Sequence, residues 1–453
     1  MKKEKHAIRY GISFAGVVFF VTGGVLLMTG SNRAADPADP RSLLVEAHWP
    51  AYGGDLGGSQ YSPLSQINRD NVRQLQVAWT IRTGDMRHEG QSGGEGTCSK
   101  CHASDSKFET TPILGGNRLY VSTPTNRTLA LNPETGAEEW AYDPKIDLSL
   151  NRNEGFISRG VSQWEDPTRP PGTPCRHTVF LATVDARLIA LDAATGALCP
   201  DFGEAGTVRL DEGIGDLQEG QYGVTSPPAI IGDVVVVGSS VGDNRRVDDE
   251  RGIVRAFDAR TGTMVWSWDP IPRQPGMPGW ETWTPEGASK TGAANAWAPL
   301  SGDEERDLVF IPTGSASPDF YGGERLGSNL FANSVVALRA STGERVWHYQ
   351  VVHHDLWDYD VPAQPTLITV PRDGEDIPAV AVATKMGHLF VLHRETGEPL
   401  FPVEERPVPA STVPGEEAWP TQPFPVLPRP LHPQTLGPDD AWGLTEEDRT
   451  YCR

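Results

Sequence analysis

The chain has 453 residues, too many for one small domain but suitable for one large repeat architecture. It carries 48 glycines and 39 prolines, and apolar helical periodicity is absent beyond the N-terminal segment, which favours many short strands and turns. A formal net charge of -21 argues against nucleic acid or an anionic membrane surface as partner and says nothing about fold.

The N-terminus reads as a targeting segment. Lys2, Lys3, Lys5 and Arg9 precede an apolar run from Gly11 to Met28. That is a positive region followed by a hydrophobic one. The run is long for a cleaved signal and just long enough to cross a bilayer. Thr29-Gly30-Ser31 is a poor cleavage site, so residues 1–35 are read as a membrane anchor in preference to a removed signal peptide. Either reading exports the body, residues 45–453, and leaves the lysines in the cytoplasm.

Next in the chain comes QLQVAWTIR (74–82), a strand pattern. It is followed by CSKCH, residues Cys98 to His102, which spells the c-type haem attachment motif through Cys98, Cys101 and His102. The insert that carries it is too short for a cytochrome domain. The alternatives are a Cys98–Cys101 disulfide or an open thiol pair. Cys175 and Cys199 flank a strand pair and are placed to bridge, which leaves Cys452 over.

From residue 109 onward the chain repeats itself. LNPETG, LDAATG, FDARTG, LRASTG and LHRETG end at Gly136, Gly196, Gly262, Gly343 and Gly397. Each follows a strand pattern and closes in a tight Thr-Gly turn, where glycine accepts positive φ. A tryptophan stands four residues later at Trp140, Trp266 and Trp347. The spacing is too uneven for a solenoid and suits a β-propeller, in which loops on one face grow freely.

One unit reads in full: ETTPIL, turn, RLYVST, loop, RTLALN, turn, AEEWAY. These are four strands, A to D, and the same parse fits 225–269 and 296–349. Five four-stranded blades are predicted between about Glu109 and Glu405. Strand direction alternates, so the Thr-Gly turns (C to D) share a face with the A–B turns. The B–C and D–A connections share the other face, where loops carry chemistry. HHDLWDYD (353–360), with two histidines and three aspartates in eight positions, is a D–A connection.

WPAYGGDLGGSQYSPLSQIN (49–68), TSPPAII, GSSVGDN, ANAWAP and HHDLWDYDVPAQPTL resemble the pyrroloquinoline quinone (PQQ) dependent dehydrogenases, from Trp49 to Arg453. The branch is the membrane-associated glucose dehydrogenase type, with its quinate and polyol relatives. The HHDLWD stretch is highly specific, whereas the Thr-Gly turns alone are not. The resemblance implies an eight-bladed propeller with PQQ and a Ca²⁺ or Mg²⁺ ion on its axis. It implies oxidation of a sugar or polyol hydroxyl, with hydride passing to PQQ and electrons going on to ubiquinone or a cytochrome. Such chains continue for several more blades, so this sequence reads as a partial or truncated member. On that basis QLQVAWTIR is the D strand of the blade that closes the ring.

Residue by residue, the resemblance makes Asp355 the general base, an ionised carboxylate suited to taking a hydroxyl proton. A surface turn acid is the alternative. Asp243 and Asn244 match metal ligands, with Ser317, or Ser315, completing the shell. Oxygen donors suit a hard cation, though GDN is also a common turn tripeptide. Trp297 matches the ring that stacks on the quinone, against the alternative of a buried blade tryptophan. Arg159 and Thr225 match residues that hold the cofactor's carboxylates. Glu109 matches a residue beside it, and Lys385 the cation near the quinone oxygens. His353, His354 and Asp358 are as readily loop-orienting residues. Two other classes remain open: a cofactor-free scaffold propeller and a haem electron carrier.

Overall fold

The computed structural model describes residues 49–85 and 106–453, apart from Asp243. The N-terminal targeting segment, the CSKCH motif and Asp243 therefore lie outside the described residues. Among the described residues no helix is long and apolar enough to cross a membrane.

Four antiparallel sheets follow the predicted order A-B-C-D. Blade 1 runs from Ile113–Gly115 through Arg118–Ser122 and Thr128–Leu131 to Glu138–Tyr142. Blade 2 comprises Ser162–Glu165, His177–Ala182, Arg187–Asp192 and Thr207–Arg209. Blade 3 comprises Ala229–Ile231, Val234–Val237, Val254–Asp258 and Met264–Trp268. Blade 4 comprises Ser301–Asp303, Leu308–Pro312, Ser334–Arg339 and Arg345–Gln350. The fifth sheet corrects the expectation of five four-stranded blades. It has three strands only, Thr366–Arg372, Glu375–Ala383 and Leu389–His393. In place of a fourth strand the chain makes a single bridge, Leu392 to Pro399, and then a separate hairpin of Val403–Pro407 with Thr421–Pro425. Four residues after Gly397, where blades 1, 3 and 4 carry a tryptophan, stands Phe401. The described residues form five blades of the eight that the resemblance implies.

The core lies between neighbouring sheets. Phe180, Leu188 and Ala190 of blade 2 pack against Ile230, Val235 and Phe257 of blade 3. Val236 and Ala256 of blade 3 meet Val309, Ile311 and Val336 of blade 4. Blade 4 in turn meets blade 5 through Phe310, Ala337, Val380 and Phe390.

The repeat has a physical reason. In blades 1, 2 and 3 the turn's leading Asn132, Asp192 or Asp258 accepts from the backbone N–H groups two and three residues on, and from the turn threonine. The glycine then takes positive φ, +67° at Gly136 and +74° at Gly397. A Cβ there would also strike the tryptophan of the preceding blade, which lies 2.6 Å away for Trp140 on Gly196 and for Trp347 on Gly397. Each indole N–H donates to the carbonyl three residues before that glycine: Trp140 to Ala193 at 3.1 Å, Trp266 to Ala340 at 2.7 Å and Trp347 to Arg394 at 2.9 Å. Trp79 makes the same contact on blade 1, with its N–H 3.0 Å from Pro133 O and its ring against Gly136. The segment 74–82 thus takes an outer strand's docking place without belonging to a sheet, since no strand pairs with it among the described residues. Blade 2 lacks the tryptophan and uses Gly203 N–H to Thr261 O at 2.8 Å, with Arg260 over the Trp164 ring.

Residues 49–58 join the innermost strands. Trp49 O accepts from Leu114 of blade 1, Leu56 O from Gly302 of blade 4 and Gly57 O from Leu367 of blade 5. A cavity of about 410 Å³ remains beside them, lined by Tyr52, Trp164, Ile230 and Leu300, and no candidate site residue borders it. Cys175 and Cys199 form the expected disulfide, and Cys452 is free and exposed.

If docked tryptophans hold the blades together, Trp347→Ala should cost roughly 3–5 kcal/mol in urea denaturation, as for a truncated core aromatic. Trp347→Phe keeps a six-membered ring and loses the hydrogen bond and part of the indole surface, so it should cost less, on the order of 1–2 kcal/mol. Equal losses for the two would show that the ring contact is not what matters.

Candidate active site

Every described candidate residue falls on a D–A or B–C connection, hence on one face. Glu109, Arg159, Thr225, Trp297 and Asp355 precede the A strands of successive blades. Asn244, Ser317 and Lys385 sit in the B–C connections of blades 3, 4 and 5.

Asp355 is buried, at 2% exposure. Its Oδ2 accepts from Ser315 Oγ, from Asn333 Nδ2 at 3.0 Å and from Tyr359 N–H at 2.6 Å. Its Oδ1 accepts from Trp357 N–H at 3.0 Å. The fully buried Arg325 donates to the Asp355 carbonyl at 2.6 Å, and to Asn329 Oδ1. Burial pushes the Asp355 carboxyl above the usual range; hydrogen bonds from Ser315, Trp357 and Tyr359, and the charge of Arg325, oppose it. The surface-acid alternative fails on burial alone.

Asp360 is the next junction. It accepts from Ser315 N–H at 2.7 Å, from Trp297 Nε1–H at 3.2 Å and from Lys385 Nζ at 2.8 Å. Lys385 also donates to Asp358 Oδ1 at 2.8 Å. Burial works against the Lys385 ammonium, but Asp360 and Asp358 outweigh it and hold its pKa above the ordinary lysine value. Two carboxylates share one cation, so one negative charge is surplus. Asp358 is pushed up to about 7, by burial first and by Asp360 second.

The Arg159 guanidinium lies over the Trp297 ring, 5.1 Å from its centroid. Arg159 donates to Thr225 Oγ1 at 2.7 Å and pairs with Glu109 at 2.9 Å. Glu109, Arg159, Thr225, Trp297, Lys385 and Asp355 thus belong to one connected set, joined through Asp360 and Ser315.

The metal candidates are arranged differently. Asn244 and Asp319 exchange bonds, Nδ2–H to Oδ2 and Asp319 N–H to Oδ1, both at 3.0 Å. Ser317, two residues before Asp319, donates instead to Asp249 Oδ2. The seam between these two loops is lined by oxygen donors, as a hard cation requires. Among the described residues, however, no three His, Cys, Asp or Glu side chains gather as a metal centre.

The histidines serve the loop. His353 N–H donates to Gln422 Oε1 at 2.8 Å and its ring lies 3.2 Å from Glu405, which ties the loop to the hairpin. His354 is buried against Asn329, and burial, aided by Arg325, brings it down to about 4. Arg325, Asn333 and Asp360 join this set of contacts without having been singled out by the sequence reading. Asp360 stood in the quoted motif, but nothing local separates it from Asp358.

A β-propeller with a polar, aromatic-floored site on its loop face narrows the class. Residues 49–453 match the family described as "PQQ: Glucose/ethanol/alcohol dehydrogenase, beta-propeller domain", and the chain belongs to it. It is 37% identical to quinoprotein glucose dehydrogenase of Escherichia coli, over 96% of this chain and 55% of that protein. It is likewise 37% identical to quinate/shikimate dehydrogenase (quinone) of Acinetobacter baylyi, over 96% and 53%. Among solved structures it is similar to quinohemoprotein alcohol dehydrogenase from Comamonas testosteroni, with a TM-score of 0.64 and 26% identity over 86% of this chain and 54% of that one. The chain spans about half the length of the curated relatives it matches.

The Asp358 environment makes a pH prediction. An acid whose pKa rises on folding stabilises the fold fully below its unfolded value, and the contribution is lost as pH climbs through the folded one. The window is therefore from about 3.8 to about 7. Asp358→Asn should match wild type in Tm near pH 4 and gain on it by pH 8. A Tm difference independent of pH would refute the assignment.

Proposed function

We propose that this chain forms the PQQ-binding part of a dehydrogenase that oxidises a sugar or polyol hydroxyl. The carrying observation is the connected set that runs from Glu109 and Arg159 through Trp297 and Asp360 to Asp355 on one face. Its chemistry fits the cofactor: Arg159, Thr225 and Lys385 offer donors to an anionic, carboxylated quinone, and Trp297 a flat ring. When bound, PQQ supplies the two-electron acceptor. Asp355 takes the proton of the substrate hydroxyl. Burial strengthens it as a base, while Ser315, Asn333 and backbone donors keep it oriented. Oδ2 already accepts three hydrogen bonds and Oδ1 one, so the proton goes to Oδ1.

Asp243, Asn244 and Ser317 hold Ca²⁺ or Mg²⁺ in this reading, which rests on their oxygen chemistry and on family resemblance. The N-terminal segment holds the body at the periplasmic side of the inner membrane, and electrons leave to a quinone or cytochrome.

The test is reconstitution with PQQ and Ca²⁺, followed by dye reduction with sugars and polyols. A Soret scan of the same sample reports on Cys98, Cys101 and His102. Failure to bind PQQ would overturn the proposal. Asp355→Asn should retain PQQ and slow single-turnover reduction by ~10²–10⁴-fold, the usual worth of a positioned base. Near wild-type reduction per bound PQQ would remove Asp355 from this role. Asp243→Ala should abolish the Ca²⁺ dependence of PQQ loading, because a hard cation loses a charged ligand. Unchanged Ca²⁺ dependence would refute that part.

A further inference from the structure

We infer that Asp360 is the positioning residue of this site: one carboxylate that sets the stacking ring, the cation and the base against one another. The inference rests on the PQQ reading above and adds a residue that touches neither substrate nor base directly.

The geometry is specific. Asp360 is buried, and both of its oxygens are occupied. Oδ2 receives Trp297 Nε1–H at 3.2 Å and Lys385 Nζ at 2.8 Å. Oδ1 receives Ser315 N–H at 2.7 Å. The Ser315 hydroxyl then donates to Asp355 Oδ2, and Asn333 donates to both Ser315 Oγ and Asp355 Oδ2 at 3.0 Å. Three elements thus meet on one side chain: the connection before blade 4 (Trp297), the blade 4 B–C loop (Ser315) and the blade 5 B–C turn (Lys385). The packing is tight at Gly314. A Cβ on Gly314 would lie 2.6 Å from Asp360 Oδ1, so a side chain there would push the carboxylate off its partners.

Donors face both oxygens, so an amide cannot replace the acid. In Asp360→Asn the NH₂ group must point at Trp297 and Lys385 or at Ser315 N–H. Either orientation sets donor against donor. Asp358 cannot take over, because it holds Lys385 but makes no bond to Trp297 or Ser315 among the described contacts.

The experiment uses the full chain and reads two properties. The first needs no cofactor: the indole ¹⁵N–H resonance of Trp297, assigned by its disappearance in Trp297→Phe. It should shift in Asp360→Asn, because a charge-assisted hydrogen bond is lost. The second is the PQQ dissociation constant. It should rise roughly tenfold or more in Asp360→Asn, the worth of a hydrogen bond to a charged group. Trp297→Phe, which keeps a ring and loses the N–H, should raise it several-fold. The double variant should fall short of the product of the two effects, as expected for residues acting through one contact. An unmoved indole resonance together with an unchanged dissociation constant in Asp360→Asn overturns the inference. If that variant does not fold, wild-type PQQ affinity in Trp297→Phe overturns it instead. A wild-type chain that binds no PQQ while the indole resonance still shifts in Asp360→Asn overturns the cofactor reading, and with it any positioning role for Asp360 in that reaction.

Discussion

The structure depends on a tryptophan lying across a glycine. At the Trp140, Trp266 and Trp347 junctions, and for Trp79 against blade 1, the indole covers a Thr-Gly turn and its N–H reaches a carbonyl three residues upstream of the glycine. Both halves are needed. Any side chain on the glycine would displace the ring, and without the indole the turn's carbonyl would lose a hydrogen-bond donor. These docks lie on the face away from the site. They fix the angle between blades at one end, so the connections at the other end meet in a defined way. Blade 2 shows the tolerance of the scheme: a backbone bond, Gly203 to Thr261, and an Arg260–Trp164 stack replace the missing tryptophan.

The opposite face is built on a different economy of charge. Asp355 sits deep, and its donors are mainly neutral, which keeps the acid oriented without cancelling its basicity. Arg325 contributes its charge from the carbonyl side of the same residue and leaves the carboxylate oxygens free of it. Lys385, by contrast, is shared between two carboxylates. Two carboxylates thereby keep its ammonium in place.

Much of this was legible in the sequence because it is local or follows from parity. The Thr-Gly turns of blades 1, 2 and 3 carry their own Asn or Asp cap, and all five share the Thr-Gly pair, so each unit announces itself within six residues. Strand alternation then assigns a face to every loop, and Glu109, Arg159, Thr225, Trp297, Asp355 and Lys385 fell on the same one. What was not legible is set by distance along the chain. Arg325 and Asn333 lie in an irregular excursion with no periodicity to read, and their contacts depend on Asp355, 30 and 22 residues later, meeting them. The missing fourth strand of blade 5 left no separate sign, since blade 2 also lacks the tryptophan, with Pro200 at the matching place, and keeps four strands. The metal loops were matched by motif, but Asn244 and Ser317 satisfy Asp319 and Asp249 rather than each other.

Residues 49–58 bond to the innermost strands of blades 1, 4 and 5, elements separated by up to about three hundred positions. That has a kinetic meaning. The segment leaves the ribosome well before its hydrogen-bonding partners in blades 4 and 5. Loop closure over such a separation carries a large entropic cost and slows folding. The blades can form one after another as local units, but this strap is completed late. Until Gly302 and Leu367 arrive, its glycines and the axial strand edges stay open to water, and to pairing with another chain.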